Sequence, residues 1–268
     1  GGDYYSLGWL SQRAFLPTYA FPRKAVALHL AGLRKRRIRG HSVALREFAP
    51  NNFVYHRGRR YEVVKATLGP GGSFAEAGKL GICGRCGHYQ LGASAATATT
   101  CPKCGTPYMD TRAGSLKMQV AIEIPSGYAT ARETVGADAE DRRRQGYDIR
   151  AGFRMNPRRV HEWAANTSTG LSFGLEFGAR GRLLQANVGL NRSDDLGFSV
   201  CTVCREWNPS ADHYGAEKDC GDEADNKIAA IAIHTEADHD MVVINAVAPL
   251  GADPDAFAYS LLYALTAG

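Results

Sequence analysis

The sequence lacks the features that define most large functional classes. No apolar run approaches the roughly 18 residues of a membrane-spanning helix. It also contains no phosphate-binding P-loop, dinucleotide fingerprint, HExxH motif or nucleophile elbow. A signal peptide is missing too, which favours a reducing, cytoplasmic compartment. We therefore expect a soluble protein whose own residues bind rather than catalyse.

Acidic residues are scarce in the first part of the chain, and basic residues are scarce in the last part. Residues 1–193 hold 29 Lys and Arg against 13 Asp and Glu, a net charge of +16. Residues 194–268 hold 3 against 14, a net charge of −11. This segregation predicts a polyanion-facing surface on the first part. The acidic segment would pack on that surface or stay away from nucleic acid.

Cysteines are few, seven in 268 residues, but most of them fall in Cys-x-x-Cys pairs. Four thiolates with this spacing can close a tetrahedral zinc site, and a glycine after each second cysteine allows a tight turn. Since all four ligands are protein sulfurs, a structural zinc is favoured over a catalytic one. The predicted ligands of this first site are Cys83, Cys86, Cys101 and Cys104.

The remaining cysteines predict a second zinc site. Cys201 and Cys204 form another pair, Cys220 follows, and His213 between them can supply the fourth ligand. The alternative is a buried cysteine pair with a free Cys220 and a surface histidine. Disulfides fit less well, because x-x spacing suits metal better and no secretion signal is present.

Arginine-rich segments in the first part are candidate nucleic-acid contacts. One is the block RKRRIRGH, and the other is the segment VYHRGRRYEVV, in which aromatic residues and arginines interleave on a predicted hairpin. The alternative is that these charge runs are only solvated faces. The predicted phosphate-contacting residues are Arg34, Lys35, Arg36, Arg37, Arg57, Arg59 and Arg60.

Hydrophobic periodicity predicts a mixture dominated by strands. The hairpin comprises 53–56, a turn at Arg57-Gly58, and 60–64. A strand is expected over 116–125, and two strands are expected in each of the segments 170–192 and 228–247. The other expectations are a short helix over 9–16, a Gly-rich loop over 67–80, a polar segment over 131–153 containing Arg142–Arg144, and an amphipathic helix beginning at Pro254.

One stretch has acid–base potential. Alternation on a strand would place His234, Glu236 and Asp238 on one face, with His239 and Asp240 beside them. A structural turn is favoured over a hydrolytic site, because nothing near it in the sequence supplies a nucleophile or further ligands.

Several segments, in order, resemble a known family: LPTYAFP, ALREFAPNNFVYHRGRRYEVV, the four-cysteine ribbon, LLQANVGLNR, GFSVCTVCREW, IAIHTEADHDMVVI and AFAYSLLYAL. Together they resemble the C-terminal region of large superfamily-two DEAD/DEAH-type helicases. More narrowly, they are similar to the helicase-associated zinc-binding domain shared by MrfA-type repair helicases and the DISARM and Druantia antiphage systems. The resemblance covers nearly the whole chain.

The resemblance implies a structural zinc module attached to an ATP-driven DNA translocase, with Cys201, Cys204, His213 and Cys220 as a metal site by position. The chain departs from that family in having neither the Walker lysine nor the DEAH carboxylates. ATP hydrolysis is therefore expected on helicase motor domains elsewhere in the protein or on a partner chain. Because the final helix would continue in such proteins, we expect a fragment.

These observations together predict an α+β fold, β-rich, with an inserted zinc ribbon and a second Cys/His zinc cluster in a mixed C-terminal region. The expected segments are 1–80 (basic, β-rich), 81–106 (zinc ribbon), 107–193 (mixed strands with a polar loop) and 194–268 (acidic, zinc-binding). The expected function is DNA binding for a helicase or translocase, in DNA repair or antiviral defence. The alternative is a protein-interaction scaffold that docks a helicase, nuclease or methyltransferase subunit.

Overall fold

The computed structural model describes residues 25–67, 74, 77–109, 114–134, 146–156, 160–166, 172–191, 196–215, 217–247, 249 and 251–267. Two sequence predictions lie outside these residues: the helix over 9–16 and the arginine cluster over 142–144.

Strands dominate the regular structure of the described residues, so the predicted β-rich α+β class is confirmed. The strands are β1 Ala25–Leu30, β2 Arg36–Gly40, β3 Phe53–His56, β4 Arg59–Thr67, β5 Gly78–Ile82, β6 Tyr89–Leu91, β7 Leu116–Glu123, β8 Ser126–Thr134, β9 Tyr147–Arg154, β10 Val160–Asn166, β11 Ser172–Leu190, β12 Phe198–Cys201 and β13 Lys227–Ala246. The helices are α1 His41–Glu47, α2 Ala93–Thr97, α3 Glu223–Asn226 and α4 Pro254–Ala267, with a 3₁₀ turn at Ala211–His213.

The first sheet has the strand order β2-β1-β8-β4-β3. Its pairs are antiparallel except β1–β8, which is parallel. The predicted hairpin is confirmed, because β3 and β4 are joined by Arg57 and Gly58 alone. These two residues have φ of 50° and 70°, as a type I′ turn requires. The hairpin is therefore specified locally, by a two-residue loop whose twist matches its strands.

The second sheet has the strand order β10-β11-β13-β7-β5-β6, with β12 paired to β13 and β9 paired to β11. One apolar core combines side chains from both sheets and from α1. Leu28 and Leu30 alternate with half-buried residues along β1, Leu45 comes from α1, and Ile231 and Ile233 come from β13. Fully burying each of these side chains contributes about 1.5–3 kcal/mol.

The prediction of two strands in 170–192 is wrong, because β11 is one continuous strand of 19 residues. Glycines lie at its centre, but they do not break the strand. They serve close packing instead: a Cβ at Gly181 would overlap the Met241 side chain, and one at Gly178 would lie 3.1 Å from the Met155 sulfur. Glycine in a strand commonly marks such a close approach.

The prediction of two strands around an acidic turn in 228–247 is also wrong, because β13 runs unbroken for 20 residues. Its acidic side chains are tolerated because they have partners. The Tyr89 hydroxyl donates a hydrogen bond to Glu236, and Arg182 lies 3.5 Å from Asp238. The stretch from Ile228 to Val243 also contains none of the Gly, Pro or Asn residues that favour turns.

Of three other predictions, one is confirmed and two are wrong at their boundaries. The strand over 116–125 is confirmed as β7. The polar segment over 131–153 is wrong at both ends, since 131–134 belong to β8 and 147–153 belong to β9. The loop over 67–80 is wrong at its end, where β5 begins at Gly78. In each case strand pairing with distant residues overrides the polar or Gly-rich composition.

The chain forms two compact units. The first comprises residues 1–152 and 184–236, and the second comprises 153–183 and 237–268. The strands β11 and β13 each contribute residues to both units. The predicted division into four consecutive segments stays a prediction.

The predicted final helix is confirmed as α4. The Asp253 carboxylate accepts a hydrogen bond from the Ala256 amide at 2.8 Å, and Pro254 occupies the first helical position. Both are typical of a helix start. Among the described residues, every helix is too short or too polar to cross a bilayer.

A buried amide ties β11 to α1 in the first unit. Asn187 is fully buried, its Nδ2 donates to the Leu45 carbonyl at 2.9 Å, and its Oδ1 accepts from the Gly189 amide at 3.1 Å. We expect Asn187→Ala to lower the free energy of unfolding by about 1–3 kcal/mol, because both backbone groups lose a buried partner. Guanidinium denaturation followed by circular dichroism measures this loss.

Asn52→Ala is the matched control. Its Nδ2 donates to the carbonyls of Arg46 and Glu47 at the solvent-exposed end of α1, where water can replace it. A cost below about 1 kcal/mol is expected. Equal losses for the two variants would contradict the buried role of Asn187.

Candidate metal centres and basic surface

Three Cys-x-x-Cys turns share one backbone geometry. In each, the amide four residues after the first cysteine donates to that cysteine's carbonyl, and the cysteine's own amide donates to the carbonyl five residues on. These distances are 2.8–2.9 Å in all three turns. The turns begin at Cys83, Cys101 and Cys201. This arrangement points successive amides and both sulfurs inward, as a metal knuckle requires.

The residue after the second cysteine adopts a left-handed conformation in every turn. Gly87 and Gly105 have φ of 70° and 74°, which glycine adopts without strain. Arg205 occupies the same position in the third turn with φ of 64°. A non-glycine residue there costs about 1 kcal/mol or more, so the third turn is held by its surroundings. The absence of a glycine concealed this equivalence in the sequence.

The first cluster fits a tetrahedral zinc. Its four sulfurs lie within 4.8 Å of one another, and the pairs Cys83–Cys104 and Cys86–Cys101 are each 3.5 Å apart. A zinc with Zn–S bonds of about 2.3 Å places its sulfurs about 3.8 Å apart. The donors are four protein thiols, so the coordination sphere is complete. The first predicted zinc site is thus confirmed as a structural one.

Local elements position these four sulfurs. Cys83 directly follows β5, and Cys86 precedes β6, so one tight hairpin carries the first pair. Beside the second pair, Tyr108 packs against the cluster, and its hydroxyl donates to the Gln90 side chain at 3.0 Å. Burial, together with the nearby thiols, raises the pKa of Tyr108. The cluster is therefore shielded from water on this side.

The protonation preferences of the first cluster indicate why a cation is needed. The Thr106 hydroxyl and backbone lower the pKa of Cys104 to about 6. Burial raises the pKa of Cys86 and of Cys101. One thiol thus ionises readily, while its neighbours resist a second negative charge nearby. A divalent cation removes this conflict by binding all four as thiolates.

The second cluster brings together the predicted Cys201, Cys204, His213 and Cys220, again within 4.8 Å. His213 presents Nε2 to it, 3.3 Å from the Cys204 sulfur. The opposite nitrogen, Nδ1, lies 3.9 Å from the Glu206 carboxylate. A carboxylate facing the free nitrogen of a ligating histidine orients its ring. The second predicted zinc site is confirmed, with a Cys₃His donor set.

The pKa values of the thiols differ as much here as in the first cluster. Burial opposes ionisation of Cys201, but backbone amides and His213 outweigh it and lower its pKa to about 6. Burial raises the pKa of Cys220 to about 12. Because the Cys220 sulfur and the His213 ring lie within 4.8 Å of both other sulfurs, the alternative of a free Cys220 and a surface histidine does not describe this structure.

The second cluster also connects the two sheets of the first unit. Its leading cysteine ends β12, which pairs with β13. The residues that follow pair with β4: the Ala66 amide donates to the Arg205 carbonyl at 2.9 Å, and the Trp207 amide donates to the Val64 carbonyl at 2.8 Å. Trp207 then enters the apolar core. Metal binding here would fix the junction between the sheets.

The predicted basic residues lie around the ends of the first sheet. Arg34 and Lys35 lie in the β1–β2 turn, and the rest lie on β2 or in the β3–β4 hairpin. Arg60 packs over the Phe53 ring at 4.7 Å. The exposed members are Arg34, Lys35, Arg36, Arg57 and Arg59.

His56 reports the field that these arginines create. Its pKa is lowered by burial and then by the positive charges of Arg37 and Arg57. These arginines belong to β2 and to the β3–β4 turn, at opposite edges of the five-stranded sheet. The sheet must therefore curl enough to bring both edges towards one histidine. The two arginine groups are separate segments of the sequence, and the structure brings them together.

The stretch from His234 to Asp240 lies within β13 rather than in a turn. His234 is buried beside the core, and Glu236 accepts from Tyr89. Among the described residues, the two clusters above are the only groups with metal-binding geometry.

Two residues near the clusters were missed by sequence reasoning. Glu206 and Thr106 both follow the second cysteine of a pair by two positions, where the shared turn geometry directs them towards a ligand. This offset is the signal that could have found them.

Comparisons with protein-family models, curated proteins and solved structures found no match.

We expect the purified chain to bind two zinc ions, because each cluster has four protein donors. Cys104→Ser and Cys220→Ser should each lose one ion and lower the thermal midpoint, since metal binding contributes to folding. Plasma mass spectrometry of the dialysed protein measures the ratio of zinc to protein.

Thr202→Ser is the matched control, since Thr202 lies between two ligands without donating a sulfur. It should keep both ions. Retention of two ions by Cys220→Ser would remove Cys220 from the ligand set.

Proposed function

We propose that this chain is a zinc-stabilised nucleic-acid-binding region whose arginines contact phosphates. The observation that carries the proposal is that exposed arginines lie both on β2 and on the β3–β4 hairpin of one sheet. The pKa of His56, which is lowered by burial and then by the charges of Arg37 and Arg57, agrees with it. Two segments some 20 residues apart in sequence thereby contribute to one positive surface. Such a surface attracts a polyanion with little regard to base sequence, and its affinity falls steeply with salt.

Exposure supports this role for the basic residues. Arg36, Arg57 and Arg59 are exposed to solvent. By contrast, Arg39 lies 2.7 Å from Glu47, so its charge is already compensated. The exposed members are thus the ones available to phosphate oxygens.

Zinc in this proposal holds the fold and performs no chemistry. Both ligand sets consist of four protein donors, which leaves no coordination position for a substrate or a reactive water. The second cluster joins β4 to β12 and β13, and β4 carries Arg59 and Arg60 of the basic hairpin. Zinc would thereby stabilise the binding surface.

The wider assignment extends the proposal to an ATP-dependent DNA helicase or translocase, of which this chain would be an accessory region. The family resemblance of the ordered segments supports it, as does the charge segregation. The motor domains would lie elsewhere in the same protein or on a partner chain. Repair and antiphage defence are the two settings that the resemblance suggests.

A second candidate function is a scaffold that docks a motor, nuclease or methyltransferase subunit. The observation that favours it is α4, in which Tyr259 and Tyr263 are 74% and 76% exposed. Exposed apolar helix faces commonly mark protein contacts. On this reading the isolated chain binds DNA weakly and co-purifies with its partner.

Arg57→Asn separates binding from stability. Asparagine tolerates the left-handed conformation of Arg57 and suits a type I′ turn before glycine, so stability should be unchanged or slightly higher. If Arg57 contacts a phosphate, DNA affinity should fall several-fold and the salt slope should decrease by about 1. Fluorescence anisotropy over a salt series with a labelled oligonucleotide measures both.

Arg150→Asn is the matched control, because Arg150 forms a surface ion pair with Asp148 at 2.8 Å outside the basic hairpins. It should leave the salt slope unchanged. An Arg57→Asn protein that binds with an unchanged slope removes the hairpin turn from the interface.

A further inference from the structure

A single row of side chains crosses the outward face of the first sheet. Along β1 the residues alternate, with Leu28 and Leu30 buried in the core and His29 between them facing away from it. Strand register places Arg36 and Tyr128 on either side of His29, and Lys65 beyond Tyr128. The row therefore reads Arg36, His29, Tyr128, Lys65 across β2, β1, β8 and β4.

Burial confirms which way this row faces. The preceding row, Leu28, Gly127 and Ala66, is buried, and a Cβ on Gly127 would meet Leu28 at 3.0 Å. Directly paired residues share one face of a sheet, so the Tyr128 row points the opposite way. Tyr128 is 39% exposed, although it sits on a strand in the middle of the sheet. With strands about 4.8 Å apart, the row spans about 14 Å.

The charges around the row favour an anionic ligand. On one side, the outward positions Ile38, Ala27 and Ser126 are uncharged. On the other side lies Glu62, whose carboxylate is compensated by Arg132 at 2.6 Å. Among the described outward positions on these two sides of the row, the only carboxylate is therefore a compensated one.

The row ends at the second metal cluster. Lys65 pairs with Glu206, whose carboxylate faces the ligating His213 at 3.9 Å. The Glu206 carboxylate is thus directed towards the metal site. The turn that carries Cys201 and Cys204 accordingly pairs through its backbone with the strand that carries Lys65.

We propose that this row binds single-stranded nucleic acid, with one base stacked on Tyr128 and phosphates held by Arg36 and Lys65. An exposed aromatic ring flanked by cations on a sheet surface suits an unpaired base and its backbone. A duplex keeps its bases stacked inside and offers this ring no base face. The inference rests on the proposed nucleic-acid function and adds its substrate class: a strand with accessible bases.

The test compares Tyr128→Ala with Tyr128→Phe on the full chain. Anisotropy is measured with labelled single-stranded dT15, rU15, a 15-base-pair duplex, and an abasic 15-mer that keeps the phosphates but lacks bases. Tyr128→Ala should weaken binding to dT15 or rU15 about 5- to 100-fold, and binding to the abasic strand less than 2-fold. Tyr128→Phe keeps the ring and should bind like the wild type.

Tyr259→Ala is the control for losing an exposed tyrosine elsewhere, and zinc content and thermal melting confirm that every variant is folded. The dT15 and rU15 arms distinguish DNA from RNA as the preferred strand. If Tyr128→Ala binds dT15 and rU15 like the wild type, or loses as much affinity for the abasic strand, the stacking proposal is overturned. Steep salt dependence in that case keeps the phosphate-binding function, whereas absence of wild-type binding to every probe removes both.

Discussion

The convergence of four donors, from Cys201, Cys204, His213 and Cys220, within 4.8 Å is the constraint that ties the two sheets of the first unit together. The same short turn ends β12 and pairs with β4, so it belongs to both sheets. Its thiols have opposed protonation preferences, with the pKa of Cys201 lowered to about 6 and that of Cys220 raised to about 12. A divalent cation reconciles these preferences and fixes the junction.

The three metal knuckles show how one backbone solution accommodates different sequences. Gly87 and Gly105 adopt the left-handed position freely, whereas Arg205 adopts it under strain. The third turn is held by hydrogen bonds to β4 and by metal coordination, which offset this cost. Backbone strain at Arg205 therefore lies where the metal site and the sheet junction coincide.

The binding surface depends on this framework because its charges come from separate strands. Arg37 and Arg57 act together on His56 only because the first sheet curls. The row through Tyr128 likewise requires four strands in fixed register. In our proposal, the basic surface near His56 supplies electrostatic attraction, and the row through Tyr128 recognises exposed bases. Both include residues of β4, which the second metal cluster stabilises.

Features with local causes could be predicted from the amino-acid sequence alone: the Cys-x-x-Cys ligands, the hairpin closed by Arg57-Gly58, and the helix beginning at Pro254. Each depends on residues a few positions apart, so spacing and turn chemistry suffice. The three-dimensional fold was needed to establish the continuity of β11 and β13, the combined effect of Arg37 and Arg57 on His56, and the row through Tyr128. These arise from pairing between distant strands, where the register and curl of the sheet, rather than local composition, select which side chains meet.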